Sequence, residues 1–120
     1  INKYQITKEI MNKISFLESP SAYLGLVKKM PPLNYGKRLL ILDNIQDPGN
    51  LGTIIRSAVA FNLDTLILGN DCVDLYNDKT IRSSEGMLFK LNILREDLNT
   101  FLPELKNNNY TLENIIKNQQ

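Results

Sequence analysis

The sequence predicts an α/β fold in which a parallel sheet is flanked by helices. Residues 39–42 form an unbroken apolar run, which is typical of a parallel strand covered on both faces. After a polar turn, apolar residues recur with the spacing of a helix, and strand-like and helix-like segments then continue to alternate. Such alternation favours parallel strands joined by right-handed crossovers.

From residue 38 onward, local sequence patterns predict the type of each element. The first helix after the polar turn is predicted from one apolar stripe, which consists of Leu51, Ile54, Ile55 and Ala58. In the last helix Pro103 lies inside a similar stripe and predicts a later start or a kink. The predicted elements are a strand at 38–43, a helix at 50–61, a strand at 64–68, a helix at about 77–86, an extended piece at about 89–93, a helix at about 97–107 and a candidate strand at 110–112.

Residues 1–32 read as a separate unit. A helical stretch is expected around residues 8–17, and the Ser-Pro-Ser of 19–21 breaks it. Pro31 and Pro32 favour a stiff, extended connector. We therefore expect a linker or boundary near residues 31–37, with a second unit at 37–120.

Composition excludes several classes of chemistry. The chain of 120 residues has no histidine, so serine-histidine and cysteine-histidine nucleophiles cannot be built. With Cys72 as the only cysteine, an internal disulfide and a cysteine-rich zinc site are also excluded, and Cys72 itself is expected to be a half-buried hydrophobic residue. No apolar run approaches the ~20 residues that cross a bilayer, and no secretory signal is evident, so a cytoplasmic location without membrane contact is expected.

Charge gives only weak guidance about partners. Fourteen basic and thirteen acidic side chains leave a net charge of +1, so a nucleic-acid contact must depend on a local patch. Basic residues cluster beside the first strand and again later in the chain, but either cluster suits ordinary solvated surface. They are Lys28, Lys29, Lys37 and Arg38, and then Lys79, Arg82, Lys90 and Arg95.

The turn at residues 43–50 is the first candidate site. Asn50 is suited to cap the helix, and the same helix terminus is suited to bind a phosphate or ribose. Gly49 and Gly52 do not complete a dinucleotide fingerprint or a P-loop. Arg56 lies opposite the apolar stripe and is either a surface arginine paired with a carboxylate such as Asp43 or Asp64, or a ligand for phosphate or ribose oxygen.

A second candidate site lies at residues 77–89. Asn77 is predicted to cap a helix that exposes Lys79, Arg82 and Ser83, while Ile81, Glu85 and Leu88 share a face. A buried Glu85 would need a partner. Hydroxyl groups beside an arginine suit a polyanion or ribose, and they suit close helix packing equally well.

Taken together, two segments resemble a known family. Residues 43–58 read Asp-x-Ile-Gln-Asp-Pro-Gly-Asn-Leu-Gly-Thr-Ile-Ile-Arg-Ser-Ala, and residues 77–89 read Asn-x-Lys-x-Ile-Arg-Ser-Ser-x-Gly-x-Leu-Phe. In this order and spacing they closely resemble the SpoU (TrmH-type) RNA ribose 2′-O-methyltransferases of the SPOUT class. The resemblance covers about residues 37–105, and residues 1–30 resemble the end of the small RNA-binding domain that often precedes the catalytic one.

The resemblance implies the Rossmann-like part of a trefoil-knot domain that transfers a methyl group from S-adenosylmethionine to a ribose 2′-hydroxyl of ribosomal or transfer RNA. It also implies a homodimer that uses no metal. Asn50 and Arg56 match the first family motif, in which the arginine engages the RNA and helps to activate the hydroxyl. The residues implied to bind RNA are Arg56, Lys79, Arg82, Ser83 and Ser84, and Gly86 matches the same segment.

The sequence also departs from the family. The family's two cofactor loops, which contain Gly-Asn-Glu-x-x-Gly and Ser-Leu-Asn, are absent from this sequence. Thr111-Leu112-Glu113-Asn114 is a poor match to either loop. We therefore expect a domain truncated before the knot, in which the residues that bind the cofactor are unknown. The alternative is a noncatalytic RNA-binding or dimerisation fragment. A dinucleotide-binding oxidoreductase half is a weaker third reading, because the third glycine is missing.

Overall fold

A computed structural model describes residues 2–17, 19, 22–111 and 116–117. The helices are α1 (Lys8–Ile14), α2 (Pro48–Ala60), α3 (Asp78–Ser83) and α4 (Leu98–Asn107), and a 3₁₀ turn covers Met87–Lys90. The strands are β1 (Leu39–Asp43), β2 (Thr65–Gly69), β3 (Asn92–Glu96) and β4 (Ile116–Lys117). The predicted α/β architecture with flanking helices is confirmed.

All strand pairs in this sheet are parallel. The strand order is β3-β2-β1-β4, so β1 and β2 are central and β3 lies at an edge. Leu39 pairs with Thr65, and Thr65 pairs in turn with Asn92, which aligns the amino ends of the three strands. Their carboxyl ends therefore meet at one edge, where α/β proteins place ligand sites.

Alternate residues of the central strands face two separate cores. On one face, Leu42 and Leu68 pack with the buried side of α2 and with the 3₁₀ turn. On the other face, Ile41 and Ile67 pack against Phe101 and Leu105 of α4. Because both faces are covered, the central strands need continuous apolar runs, and this explains their sequences.

The amino end of β2 is joined to the segment before β1 by one carboxylate. Asp64 accepts hydrogen bonds from the backbone N–H groups of Lys37 (3.1 Å) and Arg38 (2.8 Å) and from the Thr65 hydroxyl (2.8 Å). Partial burial alone would raise the pKa of Asp64, but these donors and the Arg38 charge outweigh it and lower the pKa. The ionised carboxylate therefore stabilises this junction.

Residues 31–37, the predicted linker, dock on the edge strand β3. The Asn92 side chain accepts a hydrogen bond from the Leu33 N–H (2.9 Å) and donates to the carbonyls of Leu33 (3.1 Å) and Asn34 (3.3 Å). Nearby, the Lys29 ammonium lies 4.3 Å from the centre of the Tyr76 ring. Helix α1, by contrast, has no buried residue. Among the described residues, no helix combines the length and apolar character that a membrane crossing requires.

Several predicted boundaries were wrong. Helix α1 ends at Ile14 rather than near 17, because Ser15 has an extended backbone. The helix expected at 77–86 ends at Ser83, since Glu85 and Gly86 have positive φ values of 49° and 82°, and β3 consequently begins at residue 92 rather than 89. Of the strand proposed at 110–112, residues 110 and 111 are not in a strand, and residue 112 lies outside the described residues, as do the Pro and second Ser of the 19–21 break.

Candidate functional site

The candidate site lies beyond the carboxyl ends of β1 and β2, where two loops are tied together. The Gln46 side chain donates to Asn44 Oδ1 (2.7 Å) in its own loop and to the Asp71 carbonyl (2.8 Å) in the other. The Val73 N–H donates to the Ile45 carbonyl at 2.9 Å. These bonds fix the starting points of α2 and α3 relative to each other.

Asp47, not Asn50, caps α2. The helix begins at Pro48, and Asp47 Oδ2 accepts the Asn50 backbone N–H at 2.8 Å. Proline at the first helical position loses no hydrogen bond, because that N–H would lack a helical partner anyway. The predicted capping role of Asn50 was therefore wrong, and the Asn50 side chain is exposed on the first turn instead.

Helices α2 and α3 approach each other closely at a glycine. A Cβ atom added to Gly52 would lie 1.8 Å from Ser83 Oγ and 2.9 Å from the Ser83 backbone carbon. The Ser83 hydroxyl lies within hydrogen-bonding distance of the Thr80 (3.2 Å) and Pro48 (3.4 Å) carbonyls. Ser83 thus belongs largely to the helix contact.

Contacts along the two helices advance in the same direction. Each joins a residue of α2 to one in or just after α3, and the pairs are Gly49 with Lys79, Gly52 with Ser83, and Arg56 with Glu85. The exposed residues beside these contacts therefore form one surface, which we call the α2/α3 face. Its charged members are Arg56, Lys79, Arg82 and Glu85.

Arg56 is on this face, as its position opposite the apolar stripe predicts. Its guanidinium Nη2 lies 3.6 Å from Glu85 Oε2, and the two side chains are 47% and 67% exposed. The surface pairing with a carboxylate that the sequence left open is present, but the partner is Glu85 and not Asp43 or Asp64, which were suggested as examples. Glu85 is not buried, since the left-handed turn after α3 directs this side chain out to α2.

The other proposed RNA contacts have different environments. Lys79 is exposed beside the start of α2, with its Cε 3.4 Å from the place where a Gly49 Cβ would be. Asn77 caps α3 through Lys79 N–H at 2.9 Å, as predicted. Arg82 is paired with Asp78 one turn earlier. Ser84 is fully buried and donates to the Ile81 carbonyl at 2.8 Å, so its hydroxyl does not reach the face.

Arg95 has a structural role that the sequence did not suggest. Its guanidinium lies within hydrogen-bonding distance of four carbonyls, which are those of Gly69 at the end of β2 (3.2 Å) and of the loop residues Asn70 (3.2 Å), Cys72 (2.9 Å) and Val73 (2.7 Å). Only an arginine fork reaches so many acceptors at once. The predicted extended piece ended at residue 93, so no local pattern of the sequence indicated this role for Arg95. Cys72, expected to be half buried, is buried and within 3.5 Å of the Leu42 carbonyl.

Neither of two well-defined cavities in the described part of the chain resembles a nucleotide pocket. One, of about 210 Å³, lies between the linker, Tyr76 and the 3₁₀ turn. The other, of about 310 Å³, lies against Leu40, Ile54 and Phe61 and is lined largely by apolar side chains. Within the described ranges, no group of three or more histidine, cysteine, aspartate or glutamate side chains is placed to hold a metal ion.

The fold matches one class of protein, the RNA methyltransferases. The sequence model of the SpoU rRNA Methylase family matches residues 37–120, and the chain belongs to this family. The chain is 36% identical over 108 residues to the 23S rRNA (guanosine(2553)-2′-O)-methyltransferase RlmP of Bacillus subtilis, a match that covers 88% of this chain and 43% of that protein.

Solved structures agree with this membership. An rRNA methyltransferase from Sinorhizobium meliloti aligns with a TM-score of 0.67 and 26% identity over 83% of this chain and 41% of that one. An AdoMet-bound rRNA methyltransferase from the same organism aligns with a TM-score of 0.56 and 34% identity over 61% of this chain and 28% of that one. The chain thus spans less than half the length of these relatives.

Proposed function

We propose that the protein containing this chain transfers a methyl group from S-adenosylmethionine to a ribose 2′-hydroxyl of RNA, with ribosomal RNA as the first candidate and transfer RNA as the second. The observation that carries the proposal is the exposure of Arg56 on the α2/α3 face of a SpoU-family domain. The relatives' names support the reaction and the ribosomal substrate. A homodimer and a cytoplasmic location remain predictions.

Arg56 is proposed to bind the RNA and to orient the reacting ribose. A guanidinium carries only N–H donors and no acceptor, so Arg56 is not the general base. Its fork is suited to phosphate or ribose oxygens, and its charge stabilises negative charge that develops on the 2′-oxygen. Asn50 is exposed on the first turn of the same helix and is proposed to shape the site beside it.

The RNA interface is proposed to extend to Lys79 and Arg82. Lys79 is exposed close to the α2 terminus, where a cation suits a phosphate contact. To bind the RNA, the Arg82 guanidinium must break its ion pair with Asp78. Ser83 contributes at most a partly exposed hydroxyl, and we leave Ser84 out of the interface because it is buried.

The residues described here do not by themselves fit S-adenosylmethionine. The cavity beside the linker and the apolar cavity at Ile54 lack the arrangement of polar groups that an adenosine and a charged amino acid require. We therefore propose the methyl donor for the intact protein and assign it no residue here.

Replacing Arg56 tests the proposal. Arg56→Ala is expected to abolish transfer of labelled methyl from S-adenosylmethionine to unmethylated ribosomal RNA, with the unfolding midpoint nearly unchanged because the side chain is exposed. Arg38→Ala removes another exposed arginine, at the opposite end of the strands, and should retain activity. Wild-type turnover in Arg56→Ala would contradict the assignment.

The second candidate is a noncatalytic RNA-binding or dimerisation unit. Such a unit would explain why the two cavities described above lack the polar groups that S-adenosylmethionine requires. Calorimetric titration of the intact protein with S-adenosylmethionine separates the two functions, since an enzyme binds the cofactor and a binding unit releases no heat.

A further inference from the structure

Arg56 is paired with one carboxylate, that of Glu85. We propose that Glu85 is a positioning residue that holds Arg56 on the α2/α3 face and competes with the RNA for it. This inference rests on the proposed function, because it assumes that Arg56 is the residue that receives the RNA. It adds a second residue, one that sets how strongly RNA is bound.

The geometry of the pair suits exchange. Arg56 Nη2 and Glu85 Oε2 are 3.6 Å apart, close enough for attraction but longer than a well-formed hydrogen bond. With side chains 47% and 67% exposed, both groups remain largely hydrated. An exposed pair of this kind contributes little to stability, so a phosphate or ribose oxygen can replace the carboxylate without unfolding the site.

The backbone at Glu85 is unusual for this residue type. Glu85 has φ 49° and Gly86 has φ 82°, so two successive residues are left-handed. Glycine and asparagine tolerate this region best, and glutamate is disfavoured there. The turn is nevertheless closed, by the Glu85 N–H to the Arg82 carbonyl (3.1 Å) and by the Met87 N–H to the Ser84 carbonyl (3.0 Å). It directs an acidic side chain toward α2.

The helix contact keeps the two residues opposite each other. Gly52 allows α2 to approach Ser83, two residues before Glu85, so closely that no Cβ fits between them. Arg56 follows Gly52 by one helical turn. The pair therefore depends on two packed helices as well as on two flexible side chains.

A double-mutant cycle tests the competition. Binding of a fluorescent, unmethylated ribosomal RNA transcript is measured by anisotropy at low salt for the intact wild-type protein, Glu85→Gln, Arg56→Gln and the double variant. Glu85→Gln should bind about two- to fivefold more tightly than wild type, as expected for release of one exposed ion pair, and high salt should reduce the gain. In the Arg56→Gln background the same change should have much less effect.

The coupling distinguishes competition from general repulsion. Glu104→Gln removes one negative charge from α4, on the opposite face of the sheet, and should leave RNA binding unchanged. Equal gains from Glu85→Gln in both backgrounds would overturn the proposal, because the effect would then not pass through Arg56. Weaker or unchanged binding of Glu85→Gln would also overturn it. Thermal unfolding of each variant verifies that the fold is intact.

The result separates this inference from the proposed function. If wild type methylates RNA and Arg56→Ala does not, but Glu85→Gln binds RNA like wild type, then only the inference fails. If the binding cycle shows the expected coupling and no methyl is transferred, then only the function fails. In an active protein, Glu85→Gln should lower the KM for RNA by a larger factor than it changes kcat.

Discussion

Gly52 of α2 and Ser83 of α3 are in such close contact that a Cβ at residue 52 would lie 1.8 Å from the serine Oγ. The serine backbone carbon would be only 2.9 Å from the same atom, so rotation of the hydroxyl alone cannot relieve the overlap. This contact sets the spacing of the two helices that carry every residue proposed to touch RNA.

Gly52→Ala is therefore expected to destabilise the domain and displace α3. The clash should cost about 1–3 kcal/mol of unfolding free energy, more than the gain in helix propensity. Urea unfolding of the purified protein measures it. Gly49→Ala is the matched control, because its Cβ would meet only the ends of the Asp47 and Lys79 side chains, at 3.2 and 3.4 Å. If Gly52→Ala proved as stable as Gly49→Ala, the close contact would be wrong.

The carboxylate of Asp64 should make stability depend on pH. Its pKa is lowered in the folded state: burial raises it, but the Arg38, Thr65 and Lys37 donors and the Arg38 charge lower it by more. The stabilisation is present above the pKa of the unfolded chain, about 4, and is lost as pH falls through the lower folded value. Wild type should thus lose more unfolding free energy between about pH 5 and 3 than Asp64→Asn does. Glu104→Gln, an equal loss of charge elsewhere, should follow wild type.

Arg95 should hold the loop that precedes α3. Arg95→Lys keeps the charge but cannot reach four carbonyls, so we expect a loss of about 1–3 kcal/mol in unfolding free energy. Hydrogen exchange should increase at residues 70–76. Lys90→Ala, a change at a neighbouring exposed cation, should leave those amides protected, and unaltered exchange in Arg95→Lys would contradict the assigned role.

Asn92 should control release of the linker. Asn92→Ala removes all three hydrogen bonds to Leu33 and Asn34, so trypsin should cleave after Lys28 and Lys29 several times faster than in wild type. Asn99→Ala changes an exposed asparagine of α4 and serves as the control. Equal cleavage rates in all three proteins would show that the side chain does not hold the linker.

The sequence predicted the elements that follow strong local rules. The apolar run at residues 39–42 and the stripe of α2 were confirmed because burial on both sheet faces and on one helix face requires those patterns. The end of α3 was missed because it depends on the left-handed turn at Glu85, a residue that rarely adopts it. The boundary near residues 31–37 stays a prediction.

Side-chain partners were harder to predict than elements. Exposure of Arg56 followed from its place on the helix, but its pairing with Glu85 depends on how close α2 and α3 are, which no local pattern encodes. The same holds for Arg95, whose four acceptors come from the end of β2 and the loop that follows it. Asn50 was misassigned as the cap because Asp47, three residues earlier, offers an equally good capping side chain.

The most direct test of the central claim is the identity of the methylated nucleoside. Unmethylated ribosomal RNA is incubated with the intact protein and S-adenosylmethionine, digested to nucleosides and analysed by mass spectrometry. The proposal predicts one new 2′-O-methylated nucleoside with wild type and none with Arg56→Ala. A methyl group on a base, or a 2′-O-methyl product that persists in Arg56→Ala, would contradict it.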